Sequence, residues 1–230
     1  MHRTNERLAA DVDCLVRRRV EIVITSVGSP AAVVGPLHDA GCLVFADVAT
    51  MRHVDRALDV RVDGLVLLTA GAGGQTGSAN PFAFVRAVRA RFDGPIVLAG
   101  GVSDGAAVLA ARALGADLCY LGTKLIATTE SLADDAYRQA VVDAGLDDVV
   151  ETSLPSGLPA NFLRSWWESR PEFRSGDAAA MSGGFAHYCT VLRGLLERRP
   201  PGADGGPALP GRLRRHHRRC PGQQPHRPRW

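Results

Sequence analysis

Three glycine-bearing runs hold most of the residues that could do chemistry: TAGAGGQTG at 69–77, LAGGVSDG at 98–105 and YLGTKLIATTES at 120–131. Glycine has no Cβ, so its backbone can come close to a flat or anionic ligand and present an N–H to it. Gly73 with Gly74, and Gly100 with Gly101, form two such pairs. Gly122 with Thr123 sets an N–H beside a hydroxyl, a donor set that suits a phosphate. Gln75 adjoins the first pair, and as an amide it can hydrogen-bond a substrate but cannot act as a general base near neutral pH. Outside the termini, His38, His53 and His187 are the histidines open to chemistry. The five cysteines (14, 42, 119, 189 and 220) include no CxxC pair, and only Cys189 has a histidine close by, His187. Reduced, mostly buried thiols are expected, with no metal site.

The elements that must position these runs are legible in the apolar pattern. VEIVIT (20–25), CLVFADV (42–48), GLVLLTA (64–70), PIVLAG (95–100) and ADLCYLG (116–122) are short, nearly continuous apolar segments, as strands covered on both faces of a parallel sheet would be. Helix signals fill the intervals. Pro30 after Ser29 opens one helix and Thr50 caps MRHVDRAL. Asn80-Pro81 starts PFAFVRAVRARF, Asp93-Gly94 closes it, and Ser103-Asp104 opens GAAVLAARALG. Strands start every 21 to 31 residues, which is βα repetition. No GxGxxG follows the first strand, whereas three successive strands end in special sequence. A (β/α)8 barrel of the TIM type with a phosphate site is therefore favoured over a doubly wound dinucleotide fold.

Composition sets the limits. The 230 residues are 46% hydrophobic and 22% charged, enough for one sizeable core, and the formal net charge is +3. That excess belongs to the end of the chain: 198–230 holds nine arginines against one acid, Asp204, and leaves 18 basic and 23 acidic residues elsewhere, a net of −5. The same segment carries seven of the 14 prolines, so it reads as a disordered Arg/Pro/Gly tail or out-of-frame sequence rather than a nucleic-acid arm. The division expected is a partial barrel at 1–150, a helical segment at 151–197 and the tail at 198–230. No apolar run approaches the roughly 20 residues of a membrane helix, and the charged N-terminus lacks a signal peptide's apolar stretch, so a cytoplasmic location is expected.

In combination, AGAGGQTG (70–77), GPIVLAGGVSDG (94–105), ALGADLCYLGTKLIATTES (113–131) and SGLPANFLR (156–164) resemble the nitronate monooxygenase family, FMN-dependent flavoprotein oxidoreductases once called 2-nitropropane dioxygenases. The resemblance runs from about Val20 to Arg164. It implies an enzyme that uses FMN and O2 to oxidise alkyl nitronates to a carbonyl compound and nitrite. By that resemblance Gly73 and Gly74 approach the isoalloxazine, while Gly100, Gly101, Tyr120, Leu121, Gly122 and Thr123 hold the FMN phosphate. Lys124 is a secondary candidate for that phosphate, and Trp166 and Trp167 either cover the pocket or pack the C-terminal segment.

Two departures qualify these implications. The family's motif EAGGHxG carries a His assigned as the base that removes the α-proton of a nitroalkane; Gln75 stands there in this chain, and Gly71 at the acidic position. With Gln75 there, neutral nitroalkanes are expected to be poor substrates, whereas already ionised nitronates need no proton abstraction. Five of the eight barrel strands are also visible, an N-terminally truncated pattern, so weak or absent FMN binding and self-association through unpaired edges are expected. The rival readings are an NAD(P)H-dependent enoyl-reductase-like flavoenzyme and a non-catalytic fragment or half of a split barrel.

Overall fold

The structure is a computed structural model and describes residues 7–153 and 157–169. Its elements alternate in chain order: α1 (Leu8–Arg17), β1 (Ile22–Thr25), α2 (Ala31–Asp39), β2 (Leu43–Val48), α3 (Met51–Asp59) and β3 (Gly64–Leu68). There follow β4 (Gly74–Gln75), α4 (Pro81–Arg89), β5 (Ile96–Ala99), α5 (Gly105–Leu114), β6 (Leu118–Tyr120), α6 (Thr123–Ile126) and α7 (Asp135–Asp143). A 3-10 turn at Leu146–Asp148 leads to β7 (Val149–Thr152), β8 (Ala160–Leu163) and α8 (Arg164–Glu168).

All five strands expected from the apolar pattern form, each trimmed by one or two residues at an end. The helix starts follow their caps. Thr50 Oγ1 accepts the His53 N–H at 3.2 Å, Asn80 Oδ1 the Phe82 N–H at 2.9 Å and Asp104 Oδ1 the Ala107 N–H at 2.8 Å. Each such cap contributes about 1 kcal/mol. Helix α4 ends at Arg89, and a tightened last turn, in which the Arg91 and Phe92 N–H groups share the Val88 carbonyl, carries the chain to Asp93-Gly94. Described residues 157–169, within the segment expected to be helical, form strand β8 and the short α8, and β7 crosses the boundary at 150. The reason is pairing: β8 lies antiparallel between β4 and β7. The rest of that segment and the Arg/Pro/Gly tail, with His187, Cys189 and Cys220, lie outside the described residues.

The main sheet is parallel and its order is β1-β2-β3-β5-β6, so each βα unit adds its strand beside the one before. A doubly wound sheet reverses direction at a switch point, whereas this order only advances, as in a (β/α)8 barrel of the TIM type. The two faces of the sheet differ accordingly. Val44, Ala46, Val48, Leu65, Leu67, Ile96 and Leu98 point into the main core against the helices. Phe45, Val66, Val97 and Ala99, with Leu43 and Leu68, form a second apolar layer on the opposite, barrel-interior face. On the edge strands the interior-facing residues are open to solvent: Ile22 is 46% exposed, Leu118 57% and Tyr120 54%.

A repeated device ties down the end of the sheet where the strands begin. Asp63, just before β3, accepts the Val44 N–H at 2.8 Å and faces His38 Nε2 at 2.8 Å. Asp117, just before β6, accepts the Ile96 N–H at 2.8 Å and a hydrogen bond from Arg89. In each case a carboxylate reaches across to the neighbouring strand and fixes its register. Ties at this end, where the strands begin, serve stability, leaving the opposite end for ligands.

Candidate functional site

The loops after β3, β5 and β6 leave neighbouring strands at their C-terminal ends; hydrogen bonds join the first two, and Thr123 of the third packs against Gly73 of the first. Thr69 anchors the first loop: its N–H and Oγ1 both donate to the Ala99 carbonyl of β5, at 2.9 and 3.0 Å. Thr76 Oγ1 donates to the Thr69 carbonyl at 3.0 Å, and the Ala70 N–H donates to the Ala79 carbonyl at 2.9 Å, closing the loop on itself. The Gly101 N–H reaches the Gly71 carbonyl at 3.2 Å and so links the first loop to the second.

The GLPANFLR run (157–164) covers this loop, an arrangement the apolar pattern does not reveal. Gly74 pairs with Asn161 and Gln75 with Ala160 in the β4–β8 ladder. Asn161 Nδ2 donates to the Ala72 carbonyl at 2.8 Å, and the Thr76 N–H donates to the Pro159 carbonyl at 3.1 Å. Two motifs that lie far apart in sequence thus form one unit, with the backbone of Gln75 held in a strand. Phe162 stacks on Trp166 at 5.2 Å between ring centroids and lies 6.2 Å from Trp167, so both tryptophans pack the C-terminal segment.

The glycines divide into two kinds. A Cβ on Gly73 would lie 2.0 Å from Thr123 Oγ1, and one on Gly100 would lie 2.4 Å from Thr69 Oγ1 and 3.0 Å from the Ala72 nitrogen. These two positions are glycine because protein atoms fill the space. At Gly74, Gly101 and Gly122 a Cβ would meet nothing within 4 Å, and Gly74 and Gly101 have φ of +72° and +68°. Their open sides form a cradle that can accept a ligand's flat or anionic part. Beside Gly122 opens a cleft of about 620 Å3 that also touches Leu125, Ile126, Thr128, Glu130 and Ser131. Lys124 and Thr123 are exposed, Leu121 is half-buried, and the Tyr120 side chain stands on the interior face.

Sequence reasoning missed one carboxylate at this end of the sheet. Asp47 is the penultimate residue of β2, and alternation along the strand places it on the interior face with Leu43 and Phe45. Its Oδ1 is buried and has no hydrogen-bond partner. Burial pushes the Asp47 carboxyl above its ordinary value of 3.8, and a hydrogen bond with the Ser26 side chain pulls it partly back. Ser26 directly follows β1 and precedes Val27, a β-branched residue at φ 56°. That left-handed conformation costs roughly 1–3 kcal/mol and tends to occur where a functional loop is held in a set shape. The available signal was an acid inside the otherwise apolar run CLVFADV. By contrast, Cys42 and Cys119 are free thiols pushed up by burial, so they are un-ionised and inert. Among the described residues no three His, Cys, Asp or Glu side chains gather as metal ligands, and no helix is long and apolar enough to cross a membrane.

Residues 2–183 match the family model for nitronate monooxygenase. The chain belongs to the nitronate monooxygenase family. A nitronate monooxygenase of Paraburkholderia phytofirmans is 32% identical over 152 residues, covering 62% of this chain and 42% of that protein. A (3aS,4S,5R,7aS)-5-hydroxy-7a-methyl-1-oxo-octahydro-1H-indene-4-carboxyl-CoA dehydrogenase of Mycobacterium tuberculosis is 27% identical over 157 residues, 67% of this chain and 44% of that one. The chain therefore spans less than half the length of these family relatives. Among solved structures, nitroalkane oxidase from Streptomyces ansochromogenes superposes with a TM-score of 0.61 at 26% identity, over 68% of this chain and 48% of that one.

Proposed function

We propose that this chain forms the cofactor-binding side of a flavin-dependent oxidoreductase that uses FMN and O2 to oxidise alkyl nitronates to a carbonyl compound and nitrite. The observation that carries this reading is the cradle: three loops at the same end of adjacent strands, the first two tied by hydrogen bonds and the third packed on the first where Thr123 meets Gly73, leave Gly74, Gly101 and Gly122 open. These residues fit a flavin phosphate and ring. The N–H groups of Gly101 and Gly122 and the Thr123 hydroxyl would hold the phosphate, with Gly100, Tyr120 and Leu121 shaping that end and Gly73 and Gly74 facing the ring. When bound, the flavin accepts the electrons of the nitronate and passes them to O2. Gln75, held in place by the β4–β8 pairing, would hydrogen-bond a nitronate oxygen through its amide and orient the substrate.

A second reading is favoured by the dehydrogenase relative, which is covered slightly further than the monooxygenase relative at somewhat lower identity. In it the substrate is a hydroxyl-bearing CoA thioester. One experiment separates the two. Purified protein is titrated anaerobically with FMN and then with propyl-2-nitronate or a hydroxylated acyl-CoA, and flavin absorbance reports reduction. The leading reading expects bleaching by the nitronate; bleaching by the thioester alone supports the second.

A further inference from the structure

The unused group at the ligand end of the sheet is Asp47. We propose that Asp47 is the proton-accepting residue of this site, supplying from β2 the base that Gln75 cannot provide from the loop after β3. The inference rests on the reading of the chain as a nitronate-oxidising enzyme, and it extends the substrate class to neutral nitroalkanes, against the expectation drawn from Gln75.

Three placements carry it. Asp47 lies at the C-terminal end of β2, in register with Val66 of β3, so it stands beside the strand whose following loop carries Gly74 and Gln75. The loop passes directly over this end of β2: a Cβ on Gly77 would meet the Leu68 carbonyl at 2.2 Å and Ala49 Cβ at 3.2 Å. Across the sheet, β2 is three strand spacings from β6, about 14 Å from the Gly122 end of the cradle. A ligand anchored by its phosphate at β6 and extending over β5 and β3 brings its reactive end toward β2.

The carboxylate is also set up for proton transfer. Its Oδ1 is buried without a partner. A buried acceptor left open in this way calls for a donor, which a bound molecule could supply. A carboxylate on the interior face at the ligand end of the sheet, with an oxygen that no protein group satisfies, has the chemistry proton abstraction requires. Burial raises its proton affinity, which moves it toward the range where a base works near neutral pH. In the step itself the α C–H bond of the nitroalkane breaks and an O–H bond forms on Asp47. The C–H electron pair stays with the carbon and delocalises onto the nitro group, giving the nitronate. No oxidant is consumed, and the proton later leaves to water.

The test follows exchange rather than turnover. 2-Nitropropane is incubated anaerobically in D2O with the protein, with and without one equivalent of FMN, and NMR follows the loss of its α-hydrogen. The wild-type chain is expected to speed exchange above the buffer rate, and Asp47→Asn to lower that acceleration on the order of 100-fold. A second neutral replacement, Asp47→Thr, is expected to lower it likewise and decides the matter should Asp47→Asn not fold. No acceleration by the wild type in either arm, or exchange by Asp47→Asn or Asp47→Thr as fast as wild type, overturns the proposal. Failure of the flavin reading itself appears separately, as no bleaching of FMN by a pre-formed nitronate.

Discussion

Gly73 and Gly122 look alike in sequence, yet alanine at each should do opposite things. At Gly73 the new Cβ would lie 2.0 Å from Thr123 Oγ1 and 3.4 Å from Thr123 Cβ, far inside contact distance. Threonine is short and branched and cannot swing its hydroxyl far, so the first and third loops must separate. Overpacking of this kind costs about 1–3 kcal/mol. At Gly122, φ is −117° and nothing lies within 4 Å, so a methyl group is accommodated by the folded chain and stability should move by no more than about 0.5 kcal/mol. The same methyl fills the surface on which a phosphate would rest. Loss of that approach should weaken FMN binding about tenfold or more, equivalent to about 1.4 kcal/mol. Thermal unfolding and fluorescence titration with FMN measure the two effects on the same samples. A further check is Thr123→Ala in the Gly73→Ala background, which removes the clashing oxygen and should recover part of the lost stability as a coupling term. The reasoning fails if Gly122→Ala unfolds as readily as Gly73→Ala, or if it binds FMN as tightly as the wild type.

Other consequences can be measured independently of the cofactor. Asp117→Ala leaves the Ile96 N–H at the start of β5 without its acceptor and should cost about 1–3 kcal/mol in urea unfolding. Asp47 has the opposite linkage from a salt-bridged acid. Its native carboxyl binds a proton more tightly than the unfolded chain does, so stability falls as pH rises from the ordinary value of 3.8 through the raised native value. Asp47→Asn should flatten that fall in unfolding measurements as pH rises above the ordinary value of 3.8. Ile22 and Ile24, 46% and 43% exposed on the edge strand β1, should promote association in gel filtration. Ile24→Lys should shift the chain toward the elution volume of its 24.4 kDa monomer.

The local signals were strong where one residue type decides one geometry. Asp104 and Asn80 mark their helix starts because few other side chains satisfy the first N–H groups, and the apolar runs mark strands because both sheet faces are covered. The contribution of the GLPANFLR segment was legible only as a resemblance. A two-residue strand such as β4 leaves no periodicity, and its partner Ala160 is brought to it by tertiary packing alone. Glycine pairs announced the loops but not the roles within each pair. Whether a missing Cβ admits a ligand, as at Gly101, or a neighbouring hydroxyl, as at Gly100, depends on atoms from other strands. Asp47 was passed over for a related reason: one acid within an apolar strand signals something unusual, but only the fold shows which end of the sheet and which face it occupies.

The most direct test of the central claim is an anaerobic spectrum. The purified chain is held with excess FMN, and propyl-2-nitronate is titrated in. The account predicts that the flavin's visible absorbance bleaches on addition of the nitronate faster than that of free FMN without protein, and that admitting air restores the oxidised spectrum with release of nitrite. Flavin that stays oxidised under excess nitronate, or that bleaches no faster than free FMN, would contradict it.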